Sequence, residues 1–259
     1  MSDGSSTNNL SLYVAAMNGN LEDVNALIAA GANVNNAEHY GFTPLYAAAN
    51  NGHDAIVRRL LAAGADKDLA MNNGATPLLI AAHQGHDTVM RALLDAGAGK
   101  DLAANDGSTA LHAAAESGNT TVVRALLDAG ANKDLAKHGG ATPLYIAAEM
   151  GHDAVVRMLL DAGANKDLTK KNGWTPLFVA ADNGHDAVVR LLGEDDAPRW
   201  YSRSRAAGSA NSGSGGAKRS RKRRTKKSRT KGGKKSRKLR KRTTLKGGKR
   251  KRRRTRHRR

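Results

Sequence analysis

One phrase returns along this chain at a fixed interval. Thr-x-Leu falls at Thr43/Leu45, Thr76/Leu78, Thr109/Leu111, Thr142/Leu144 and Thr175/Leu177, and each occurrence is 33 residues from the next. A self-similar period of this length means supersecondary units that bury their apolar faces only against their neighbours. The chain is therefore read as a stacked array.

Inside one unit the residues prescribe two short helices. Thr43 suits an N-cap, where its hydroxyl accepts an orphan N–H, and Pro44 suits the first helical position, which needs no N–H. Leu45, Ala48 and Ala49 then share one face at i, i+3 and i+4, and Gly52 stops the helix. After Gly52-His53-Asp54, Ile56-Val57 and Leu60-Leu61 form a second stripe that ends at Gly64. The segment from Ala65 to Gly74 carries Asn72-Asn73-Gly74 and reads as a hairpin-like finger.

These residues resemble the ankyrin repeat, with its Gly-x-Thr-Pro-Leu-His-x-Ala-Ala, Gly-His, paired apolar residues and Gly-Ala. The resemblance covers about residues 10–193 as six units, the first (Leu12-Tyr13-Val14-Ala15-Ala16) lacking Thr-Pro. It implies an all-α fold, an α-solenoid of helix-turn-helix repeats with hairpin-like finger loops. The family's histidine after Leu survives only at His112; Tyr13, Tyr46, Leu79, Tyr145 and Phe178 replace it elsewhere, and Ala110 replaces Pro. Where the family carries an apolar residue after Gly-Ala, this chain has Lys67, Lys100, Lys133 and Lys166. Leu69, Leu102, Leu135 and Leu168, two positions on, are expected to take over the buried role.

Average composition misleads here. The chain carries +20 overall, yet residues 1–193 hold 13 Lys or Arg against 20 Asp or Glu, a net of −7, and the rest nets +27. Residues 1–9 are expected to be a disordered start. Residues 10–193 form the repeat domain, and 194–217 an acidic and aromatic end followed by a Gly/Ser linker. Residues 218–259 carry 27 Lys or Arg and no acid. With almost no apolar residue to offset chain entropy, they are expected to be a disordered basic tail. The last helical pattern, Val188-Val189-Leu191-Leu192, looks like an interior helix, so something should cover it; Trp200-Tyr201 is the expected cover.

No cysteine occurs, so disulfides play no part, and no apolar run approaches the ~20 residues of a membrane span. An intracellular, nuclear location is expected for a monomer. His53, His86, His152 and His185 share one repeat position, as do Asp54, Asp87, Asp153 and Asp186. Equivalent positions on stacked helices lie ~8–10 Å apart, too far to share a metal. The histidines are read as inter-repeat hydrogen-bonding groups and the aspartates as helix caps. No nucleophile with a base, phosphate loop or carboxylate pair stands outside the repeat logic, so neither catalysis nor a cofactor is expected.

Binding is the expected function, as a protein–protein interaction scaffold or adaptor. The resemblance implies a concave strip of finger tips and exposed first-helix residues. In this chain it maps to Tyr40, Phe42, Asn50, Asn51, Met71, Asn73, His83, Gln84, Asp106, Glu116, Glu149, Met150, Trp174 and Asp182. Phe42 and Trp174 are either anchors for a partner or braces between fingers. In the tail, Lys218, Arg219, Arg221, Lys222, Arg223 and Arg224, with Lys249, Arg250, Lys251, Arg252, Arg253 and Arg254, read as an import signal or a nucleic-acid-binding segment. DNA or RNA, or else an import receptor, is its expected partner. The alternative reading is a structural protein of chromatin or a virion, in which the tail grips DNA or RNA without sequence specificity and the array is a spacer.

Overall fold

A computed structural model describes residues 12–202. The chain divides into two units between Gly213 and Ser214. The second unit, the 1–9 start, the 206–217 linker and every basic tail position named above lie outside the described residues.

Six helix pairs follow one another. They are α1 (12–18) with α2 (Leu21–Ala29), α3 (Pro44–Asn51) with α4 (Asp54–Ala62), and α5 (Pro77–Gln84) with α6 (Asp87–Asp95). Then come α7 (Ala110–Ser117) with α8 (Thr120–Asp128), α9 (Pro143–Met150) with α10 (Asp153–Asp161), and α11 (Pro176–Asp182) with α12 (Asp186–Leu192). A last helical turn, 199–202, closes the described part, and no strand occurs among the described residues. First helices pack on first helices and second on second, so one core runs between two layers.

The helix starts are built from the repeated threonine. Thr43, Thr76, Thr142 and Thr175 accept from the backbone N–H three residues on, at 3.0, 3.2, 3.2 and 3.1 Å. Where Pro is missing, His112 completes the cap: its Nδ1 accepts the Thr109 N–H at 3.2 Å and lies 2.9 Å from the Thr109 hydroxyl. Its Nε2 sits 3.1 Å from the Ala141 carbonyl, which fixes the proton on Nε2.

The junctions between units rest on a glycine and a histidine. Gly52 ends α3 with φ 77, a conformation that favours glycine, and a Cβ there would stand 2.7 Å from His86 Nδ1. The missing side chain leaves room for the ring, whose Nε2 bonds the Asn50 carbonyl at 3.1 Å. His53, His152 and His185 make the same bond to Met17, Glu116 and Glu149. A second ladder runs below: Asn35, Asp68, Asp101 and Asp134 accept from the backbone N–H of Asp66, Gly99, Asn132 and Asn165 at 2.7–2.9 Å.

Two expectations fail. Asp54, Asp87, Asp153 and Asp186 are the first helical residues, not caps; the histidine before each is the N-cap and makes no side-chain cap bond. The ring is committed to the preceding repeat, and the aspartate instead places negative charge in the first turn, where the helix dipole favours it. Only Asn20 and Asn119, at the histidine position, cap in the usual way. The leucines also differ: Leu69, Leu135 and Leu168 are half-buried and Leu102 is 42% exposed. The Asx ladder pins this loop at the surface, and the Lys67, Lys100 and Lys133 stems lie along the next unit's Gly97, Gly130 and Gly163 turns.

At the far end, Tyr201 is 3% exposed and belongs to the same continuous core as Val188, Val189 and Leu192 of α12. Its hydroxyl donates to Asp186 Oδ1 at 2.6 Å. Trp200 stays 42% exposed, edge-on to Phe178 at 6.0 Å between ring centroids.

Candidate partner-binding groove

Each finger is closed by a backbone bond, as from Met71 N–H to Ala75 O at 3.0 Å and Ala104 N–H to Ser108 O at 2.9 Å. One further backbone bond ties each finger to the next: Asn72 to Tyr40, Asn105 to Asn73, His138 to Asp106 and Lys171 to Gly139. The fingers therefore form one continuous wall opposite the first helices.

Between this wall and α3, α5 and α7 lies an open groove of about 450 Å³. Tyr46, Leu79, Ile80 and Ala113 are its apolar surface, while Asn73, Asp106, His83 and Glu116 contribute the polar groups. A smaller recess of about 190 Å³ joins Phe42, Asn50 and Asn51 to Tyr13, Met17 and Tyr46. The structure thus gathers seven of the mapped strip residues into two hollows. Tyr46, Leu79 and Ile80 were absent from that map. Their signal was present in part, since Tyr46 and Leu79 occupy the position that departs from the family's histidine.

The other strip residues are spread along the same side. Gln84 donates to Asn50 at 3.0 Å, joining neighbouring repeats, and Asn51 donates to its own helix at Ala47 O. Met71 is half-buried in its finger; Met150 is 46% exposed. Glu149 lies 3.6 Å from Lys170, whose ammonium stands 4.8 Å from the Tyr145 ring centre. Asp182 is exposed at the end of α11. Phe42 packs against Tyr46 and Tyr13 at 5.5 and 6.3 Å, and Trp174 against Phe178 at 4.6 Å. Both rings are half-buried against aromatic neighbours on helices.

Tyr40 behaves differently. It is 72% exposed and has φ 65, the single positive φ among the described non-glycine residues. An aromatic residue in the left-handed region costs ~1–2 kcal/mol. This strained, solvent-facing ring tops the first finger.

The electrostatics follow from burial. Burial and the nearby Glu149 and Asp182 carboxylates push the Tyr145 hydroxyl up to about 12, and burial, helped by Tyr13, raises Tyr46. Asp106 is held below the ordinary carboxylate range despite its desolvation, because Ser108 donates to it from both backbone and hydroxyl. Burial pushes His112 down, keeping it neutral. Among the described residues no group of His, Asp or Glu is arranged to hold a metal ion, and no helix is long and apolar enough to cross a membrane.

A family model described as ankyrin repeats (3 copies) matches residues 12–106, 96–170 and 134–199. No curated protein matches the chain significantly. Repeats of this kind are protein–protein interaction modules. Helix pairs stacked at a 33-residue interval, threonine-capped first helices and a family match running from residue 12 to 199 together place this chain in the ankyrin-repeat family.

Proposed function

We propose that the protein is a non-enzymatic adaptor: the groove side of the array holds a protein partner, and the basic tail brings the complex to the nucleus or to nucleic acid. The observation that carries the first half is the open groove, with an apolar floor and a polar edge, beside a strained and exposed Tyr40. The second half rests on the charge split, −7 against +27. That split also favours a second reading, in which the tail binds DNA or RNA as the main activity and the array is a spacer.

Pull-downs and nucleic-acid affinities of the full chain and of residues 1–205, each at two salt concentrations, separate the two. Partners retained by residues 1–205 support the adaptor. Loss of every interaction with the tail supports the spacer reading. Binding to duplex by the full chain should fall by about 0.9 log unit per log of salt for each phosphate neutralised.

A further inference from the structure

Resting on the reading that the groove binds a protein, we infer that its occupant is an extended segment of another protein that carries a large apolar side chain flanked by lysine or arginine. Tyr46, Leu79 and Ile80 give the groove an apolar floor that an anchor side chain would cover. The charged groups that line it have one sign, Asp106 and Glu116, and the cation acting on Asp106, Lys137, stands outside the lining. Asp106 is ionised and already takes two bonds from Ser108. The Glu116 carboxylate is exposed and has no hydrogen-bond partner among the described residues, so it remains open to an incoming cation.

The repeat sets the spacing of the second cation. Glu149 and Asp182 follow Glu116 at the same 33-residue position on the next two first helices, and Lys170 already neutralises Glu149 at 3.6 Å. The next open carboxylate is Asp182, two units along. At ~8–10 Å per unit it lies ~20 Å from Glu116, which an extended chain covers in about six residues. An acidic segment would instead place its carboxylates against Asp106 and Glu116, where like charges repel.

The test uses the full chain and labelled synthetic peptides of about a dozen residues. All share the apolar anchor and carry Lys, Ser or Glu at two positions about six apart. Binding is read by fluorescence anisotropy near physiological salt for the native chain, for Ala104→Trp, which fills the groove from its finger, and for Glu116→Lys, a surface change. Circular dichroism and melting confirm that both variants are folded. The tail is common to all three, so the difference between them reports the groove. The lysine peptide should bind about tenfold tighter than the serine peptide, lose that advantage in Glu116→Lys, and lose groove binding in Ala104→Trp. Equal or tighter binding of the serine or glutamate peptide, abolished by Ala104→Trp, overturns the cationic occupant while leaving the groove as a binding site. If no peptide responds to Ala104→Trp, both the occupant and the groove reading fall.

Discussion

Truncating Tyr201 tests how the array is closed. The ring is 3% exposed within the core that α12 also enters through Val188, Val189 and Leu192, and its hydroxyl meets Asp186 at 2.6 Å. Removing a buried aromatic side chain costs about 3–5 kcal/mol, and removing only the hydroxyl, beside a half-buried carboxylate, about 1 kcal/mol. Stability in a repeat array is a sum of unit and nearest-neighbour terms, so the loss should appear first in α11 and α12. Native-state hydrogen exchange reads this residue by residue. In Tyr201→Ala the amides of Val188 and Val189 should exchange about two to three and a half orders of magnitude faster, and in Tyr201→Phe about fivefold faster, at one decade per ~1.4 kcal/mol. Amides of α3 and α5 should be unchanged in both. Unaltered protection in α12, or an equal loss in α3 and α12, would refute the cap.

Three further outcomes follow from the junctions and the fingers. Gly118→Ala puts a Cβ 2.8 Å from His152 Cε1 at a position with φ 71, so it should lower the melting temperature, and combining it with His152→Ala should cost less than the sum of the single changes. His112 has a depressed pKa because it is buried, so the unfolded chain takes up its proton first. Its contribution to stability is full above about pH 6.5 and is lost as pH falls below that value, and His112→Leu, which copies Leu79, should remove this part of the pH dependence in melts between pH 7.5 and 5.5. Tyr40→Gly should stabilise the array by about 1 kcal/mol in denaturant melts by relieving the positive φ, while weakening capture of a partner; a loss of stability would contradict the strain.

Much of the fold was legible because a repeat states each local rule several times. Thr76 with Pro77 and Gly85 defines α5 almost to the residue, and His86 stands where the inter-repeat bond needs it. Single residues misled where two roles competed. Asp87 looked like a cap because aspartate suits that task, but His86 occupies the cap position and gives its ring to Asn50. Leu102 looked like core, yet Asp101 beside it binds the Asn132 N–H and holds the loop at the surface. The groove floor was half-legible: the run Tyr46, Leu79, Tyr145, Phe178 marked an altered position, while Ile80, the next residue along α5, also lines the groove and carries no such mark in the repeat pattern. Long-range contacts such as Lys170 with Glu149 leave no trace in local pattern.

Site-specific photo-crosslinking in cells separates capture of a partner by the groove from capture by the tail. A photoreactive side chain at Gln84, on the groove side, is compared with one at Arg124, on the exposed face of α8, in the full chain and in residues 1–205. A discrete protein adduct is expected from Gln84, persisting without the tail and absent from Arg124. Adducts that form from Arg124 alone, or that vanish whenever the tail is removed, would contradict this expectation.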